Sequence, residues 1–147
     1  MVAMKGRTQS AGFTLIEVLV SILVLAIGLL GVAAILLVSL RNAQGSMEQT
    51  SGVVQAYAIM DTMRANKPQA IIGAYDLTEY TCNSPATDNR IGREQADWLT
   101  NLRTQLGPSA CGRIRCTSLN CEVSVRWNDE RATGGAQERE YILSTRL

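Results

Sequence analysis

The chain has no histidine in its 147 residues. That removes the side chain most often used as a general base near neutral pH and the commonest neutral metal ligand, so most familiar hydrolase arrangements are excluded. There is also no nucleophile motif, no glycine-rich phosphate loop and no ligand set at metal-site spacing. The sequence therefore reads as non-enzymatic, with no cofactor and no metal. Proline is scarce, and the first of the three is Pro68, so nothing before it forces a helix to break. A surplus of charge is missing too: 14 Lys and Arg face 13 Asp and Glu for a formal +1, and the basic residues past the N-terminus are scattered. Such a pattern offers no nucleic-acid surface. No acid occurs in the first twelve residues, which hold Lys5 and Arg7.

What is present begins with an apolar run. Phe13 to Leu40 is 28 residues with Glu17 as its only charge, whereas a helix needs about 20 to cross the hydrocarbon core of a bilayer. The run is too long for the apolar part of a secretory signal, which spans about 7–15 residues, although Ala43 to Gly45 weakly matches a small-residue cleavage site. The basic leader should stay cytoplasmic by the positive-inside rule, so the C-terminal part is exported. An ionisable group in such a run costs roughly 2.5–3.5 kcal/mol near the helix centre and less toward an end. Glu17 therefore needs a partner, and a partner implies assembly.

Past Leu40 the pattern turns amphipathic. Val53, Ala56, Tyr57, Met60 and Met63 recur at helical spacing, which predicts one long helix from Phe13 to about Asn66, roughly 80 Å at 1.5 Å per residue, with this face in the domain core. Residues 67–90 contain Pro68, Gly73, Asn83, Pro85, Asp88 and Asn89 and read as an irregular connection. Arg93 to Leu106 predicts a short helix with Ala96, Leu99, Leu102 and Leu106 on one face, ended by Gly107-Pro108. The period then changes to two. Cys121, Val123, Val125 and Trp127 alternate with Glu122, Ser124 and Arg126 as a half-buried strand, and Ile114 to Cys116 pairs with it across Thr117-Ser118-Leu119-Asn120. Tyr141, Leu143, Thr145 and Leu147 make a third strand. The fold class is α+β: a long N-terminal helix packed on a small antiparallel sheet.

Four cysteines, Cys82, Cys111, Cys116 and Cys121, all follow the apolar run. An even number in a small domain beyond a membrane signal favours disulfides and an oxidising compartment. Three pairings are possible. The hairpin favours Cys116 with Cys121, leaving Cys82 with Cys111. Zinc is the competing reading, but C-x4-C-x4-C with a distant fourth cysteine fits the usual two-to-four-residue ligand spacings poorly.

Gly12-Phe13-Thr14-Leu15-Ile16-Glu17, with its basic leader and apolar helix, resembles the signal of type IV prepilins and of the pseudopilins of type II secretion. The resemblance implies that a prepilin peptidase cuts between Gly12 and Phe13 on the cytoplasmic side and N-methylates Phe13. It divides the chain into a cleaved leader, residues 1–12, a membrane and filament-core helix, 13–40, and an extracytoplasmic domain, 41–147. Loss of the leader takes the formal charge from +1 to −1. The cut creates an amine with a reference pKa of about 7.7–8.0 at the positive end of a helix dipole. That amine and Glu17 each need a counter-charge, and the family implies that Glu17 meets the amine of a neighbouring subunit. The alternative is a pair within one chain at i, i+4 spacing, which contributes only a few tenths of a kcal/mol on an exposed helix.

Within this group, Glu17-Val18-Leu19-Val20, Ala26 to Gly31 and Asp61-Thr62-Met63-Arg64-Ala65-Asn66 are similar to the PilV group of minor pilins. A plainer account of the last stretch is a helix end, with Arg64 facing the dipole and Asn66 as a cap. Membership implies a filament subunit that primes type IV pilus assembly and lies near the tip. Its partners would be the peptidase, other minor pilins, the major pilin and the inner-membrane assembly machinery. Its location would be the bacterial inner membrane as a single-pass protein, then the pilus at the cell surface. The I-type minor pseudopilin of type II secretion has a closely similar helix and is the nearest alternative; a signal-anchored periplasmic enzyme or binding protein is the other. Unlike many major pilins, the chain has no proline in the apolar helix. Gly28 and Gly31 are then the places for local melting in a filament or for close helix contact.

Overall fold

The computed structural model describes residues 12–83, 88–132 and 134–147. Lys5, Arg7 and the rest of the leader before Gly12, and Pro85 in the predicted connection, lie outside them. Helix α1, Leu15–Ala65, is continuous over 51 residues, as the absence of proline allows. The chain divides into two units at Val38/Ser39. In the first, every described residue is exposed, and the most apolar window of α1 has mean hydropathy 3.0.

The second unit holds the remaining elements and the C-terminal part of α1. Asn66 breaks the helix at φ −122° and ψ 43°, and helix α2, Lys67–Ala70, follows with Pro68 in its first turn, where a missing N–H costs nothing. Asn66 stands at the end of α1, its main-chain N–H donating to the Thr62 carbonyl at 3.2 Å, while its side chain caps neither helix and donates to the Tyr75 hydroxyl at 3.1 Å. Strand β1, Leu77–Thr81, comes next, so the stretch 67–90 is not simply an irregular connection. Its Leu-Thr-Glu-Tyr-Thr sequence has the branched and aromatic residues of a strand, and its partner lies more than thirty residues ahead, at Ile114 and Gly112. Helix α3, Arg90–Leu106, starts three residues earlier than the apolar spacing indicates because Asn89 caps it, accepting from the Gly92 amide at 2.7 Å. Strands β2, Cys111–Thr117, β3, Asn120–Trp127, and β4, Arg139–Arg146, complete an antiparallel sheet in the order β1-β2-β3-β4.

The core lies between the two long helices and one face of this sheet. Ala56, Ile59, Met60 and Met63 from α1 and Leu99, Leu102 and Leu106 from α3 meet Ile114, Val123, Val125 and Trp127. The buried stripe of α1 is turned from the predicted one: Gln55 and Ile59 are inside, Val53 is half-buried and Tyr57 is exposed. Gly52 explains the rotation, since the Trp127 ring rests where its Cβ would be, 3.1 Å away. On β2, Gly112 leaves room for Trp98, whose ring stands 2.3 Å from the position of a Cβ. The Trp98 indole N–H in turn donates to the Gln55 carbonyl at 3.0 Å, tying α3 to α1. On the outer face Tyr80 sits between Arg113 and Arg126, whose guanidinium carbons are 4.8 and 4.2 Å from its ring centroid. This stack covers Ser124, which is buried rather than solvated as strict alternation would have it.

Two disulfides close the unit. Cys116–Cys121 joins directly paired positions of the β2–β3 hairpin, and Cys82–Cys111 ties the end of β1 to the start of β2. A bridge typically contributes about 2–4 kcal/mol, mainly by restricting the unfolded chain.

Tyr75 and Glu94 fasten the connection after α2 to α3. The Tyr75 hydroxyl donates to Glu94, and Arg90 Nε lies 2.7 Å from the same carboxylate. Burial pushes the Glu94 carboxyl up, but the hydrogen bonds from Tyr75 and Arg90 and the charge of Arg90 outweigh it, so the net shift is downward. A carboxyl held below its unfolded value stabilises the fold fully above that value, about 4.3 for glutamate, and the contribution is lost as pH falls through the lower folded value. Urea unfolding across the acid range should therefore show a fall in stability that is shallower in Glu94→Gln. Gly112→Ala should destabilise the domain by about 1–3 kcal/mol, the usual cost of overpacking a core; a urea midpoint unchanged from the wild type would show that Trp98 has room to move.

Candidate functional site

The candidate site is the start of α1. Gly12, Phe13 and Thr14 precede the helix, and the Gly12–Phe13 peptide bond is exposed, with Phe13 83% accessible. Among the described residues, chain neighbours aside, no heavy atom lies within 4 Å of where a Cβ on Gly12 would stand. The described residues thus give glycine no packing reason to be at position 12. The same is true of Gly28 and Gly31.

Thr14 holds the first turn. The Glu17 amide donates to the Thr14 carbonyl at 3.1 Å and lies 3.4 Å from its Oγ1. Sequence reasoning passed over this role, although the signal is there: Thr-x-x-Glu ahead of an apolar run is the pattern of a capping box. Glu17 sits in the first turn, where a carboxylate complements the positive end of the helix dipole. It is exposed and forms no ion pair among the described residues. In the uncut chain the nitrogen of Phe13 is a peptide amide, so the cation that this spacing could pair with Glu17 does not yet exist. Around the two residues the surface is apolar and uncovered: Leu15 is 91% exposed, Leu30 71% and Ile35 71%. The arrangement can present one carboxylate and, after a cut, one amine on an apolar rod.

Among the described residues no three His, Cys, Asp or Glu side chains gather as metal ligands. The groove between α1 and α3, about 220 Å³, is lined by Gln55, Ile59, Thr62, Glu94, Asp97 and Trp98; Glu94 is engaged by Tyr75 and Arg90, Asp97 is open to solvent, and the Thr62 hydroxyl donates to the Ala58 carbonyl at 3.0 Å. Arg64 and Asp61, from the stretch similar to the PilV group, pair with each other at 2.8 Å on the exposed side of α1.

Residues 7–33 match the family model of the prokaryotic N-terminal methylation motif. No curated protein and no solved structure matches the chain. The matched span takes in Gly12, Phe13 and Glu17 and stops before the amphipathic part of α1, so the remainder of the chain is characterised by its fold alone. The chain carries the methylation motif typical of prepilin- and pseudopilin-like proteins, on a long apolar helix that continues into a pilin-like α+β domain.

Proposed function

We propose that this protein is a minor pilin of the PilV type, a structural subunit that helps prime type IV pilus assembly and sits near the pilus tip. A prepilin peptidase cuts between Gly12 and Phe13 and methylates the new amine of Phe13. The chain waits in the bacterial inner membrane with its N-terminus cytoplasmic, then enters the filament, where it meets other minor pilins and the major pilin through the assembly machinery. Glu17 pairs with the Phe13 amine of a neighbouring subunit.

The observation that carries the reading is the combination of the matched motif with an apolar helix face that the chain leaves fully open. Membrane lipid satisfies the apolar side chains but not the Glu17 carboxylate; a bundle of like helices satisfies both, because each new subunit brings its own amine. The similarity of residues 61–66 to the PilV group selects the subtype, and the I-type minor pseudopilin is the second reading because the helix fits it equally.

Glu17→Ala should leave processing and membrane insertion intact while lowering the amount of this subunit recovered in sheared filaments by roughly tenfold or more, the ratio that about 1.4 kcal/mol of lost pairing gives. Wild-type recovery in the variant would refute the need for the charge. Co-purification with pilus minor subunits supports the pilin reading, whereas capture of secretion pseudopilins in their place transfers the protein to type II secretion.

A further inference from the structure

Strand β4 ends the sheet, so one of its edges has no neighbouring strand. Which groups lie on that edge follows from the register. The Leu147 N–H donates to the Leu119 carbonyl at 2.8 Å, and hydrogen-bonded positions alternate along an antiparallel pair. Arg139, Tyr141, Leu143 and Thr145 therefore turn their backbone N–H and C=O toward β3, while Glu140, Ile142, Ser144 and Arg146 turn theirs away. Those outward groups find no backbone partner among the described residues. The pairing with β3 runs without a register shift, and β4 has no proline. An edge of this kind is a template for a further strand.

The surroundings of the edge say what kind of strand. On the side facing α1, beside the first half of β4, is a groove of about 310 Å³ lined by Gln49 and Val53 of α1 and by Trp127, Arg139, Glu140 and Tyr141. An added strand sends alternate side chains to that side. The one opposite Tyr141 meets Val53, Trp127 and Tyr141, a place for an apolar group. Further along, at Thr145, the same side is basic. Arg64 Nη2 lies 3.5 Å from Thr145 Oγ1, and Lys67 Nζ donates to the Leu147 carbonyl at 2.7 Å. Lys67 forms no ion pair among the described residues, and Arg64 pairs there only with the exposed Asp61. We propose that the free edge of β4 takes up an extended segment of another protein, with an apolar side chain in the groove at Tyr141 and an acidic one near Thr145, beside Arg64 and Lys67. Backbone hydrogen bonds give such an addition its affinity, and the two side-chain positions give it selectivity. A second copy of this chain does not fit. In the antiparallel register that puts Glu140 opposite Arg146, the copy's β4 has no acid on the α1 side and brings its Arg139 opposite Leu147, next to Lys67. Nothing in this depends on which filament the chain joins.

The test puts the photoreactive residue benzoylphenylalanine at the exposed Ile142 of the full chain, irradiates the cells that make it and sequences the peptide that becomes attached. The expected adduct is to another protein, through a segment with an apolar residue and an acid at the spacing of Tyr141 and Thr145. Ser144→Pro removes an edge N–H that β3 does not use and puts a ring in the way of the added strand, so it should lower the adduct yield roughly tenfold or more. Lys67→Glu, at an exposed helix position, should lower it several-fold and provides the reading should Ser144→Pro not fold, with the urea midpoint checking the fold of both. No adduct, a yield that either folded variant leaves unchanged, a captured segment without the acid, or one that comes from a second copy of this chain overturns the proposal.

Discussion

Between Phe13 and Leu40 the helix presents apolar side chains on every side, and none of its most apolar window is buried. Most of the molecule's character follows from having to satisfy that surface. Water cannot do so, because each exposed aliphatic side chain forgoes about 1.5–3 kcal/mol of burial. Lipid can, but it leaves Glu17 as a carboxylate in a medium that resists charge. Among the described residues the Glu17 carboxylate has no ion-pair partner; Thr14 engages only its main-chain amide. In the proposed assembly, a partner that carries the same two features satisfies the apolar surface and the acid together.

The second unit has its own economy of space. Its helices approach the sheet where small residues occur: Gly52 under Trp127 and Gly112 under Trp98. The two tryptophans fill the gaps these glycines leave, and the Trp98 indole bonds to the α1 backbone, so the long helix becomes one wall of the core. Two disulfides close a sheet of short strands that has little core for its entropy cost. The domain is held by few, specific contacts, and its β3–β4 loop keeps the buried Asp129 carboxylate against Arg139 at 2.7 Å.

Much of this was legible in the residues because it depends on local rules. The long helix follows from the lack of proline, the α3 face from its leucine spacing, and the β2–β3 hairpin from alternation on either side of a short turn. What was not legible depends on contacts distant in sequence. Strand β1 has only five residues and pairs with β2 across more than thirty, so its turn-rich flanks dominated the local pattern. The exact buried stripe of α1 is set by where Trp127 needs room, which spacing on α1 does not encode. Asn66 closes α1 as its sequence position suggests, but its side-chain amide goes to Tyr75, nine residues on. At the candidate site the order was reversed: Gly12, Phe13 and Glu17 stood out in sequence, while the described residues provide no packing reason for glycine at position 12.

The central claim is that the acid in the apolar run exists to meet an amine made by processing, and the N-terminus of the mature protein tests it most directly. Edman or mass-spectrometric sequencing of protein taken from the membrane or from filaments should give a chain beginning with N-methylated Phe13. A mature chain that retains Met1, or one that begins beyond Leu40 after removal of the whole apolar run, would contradict it.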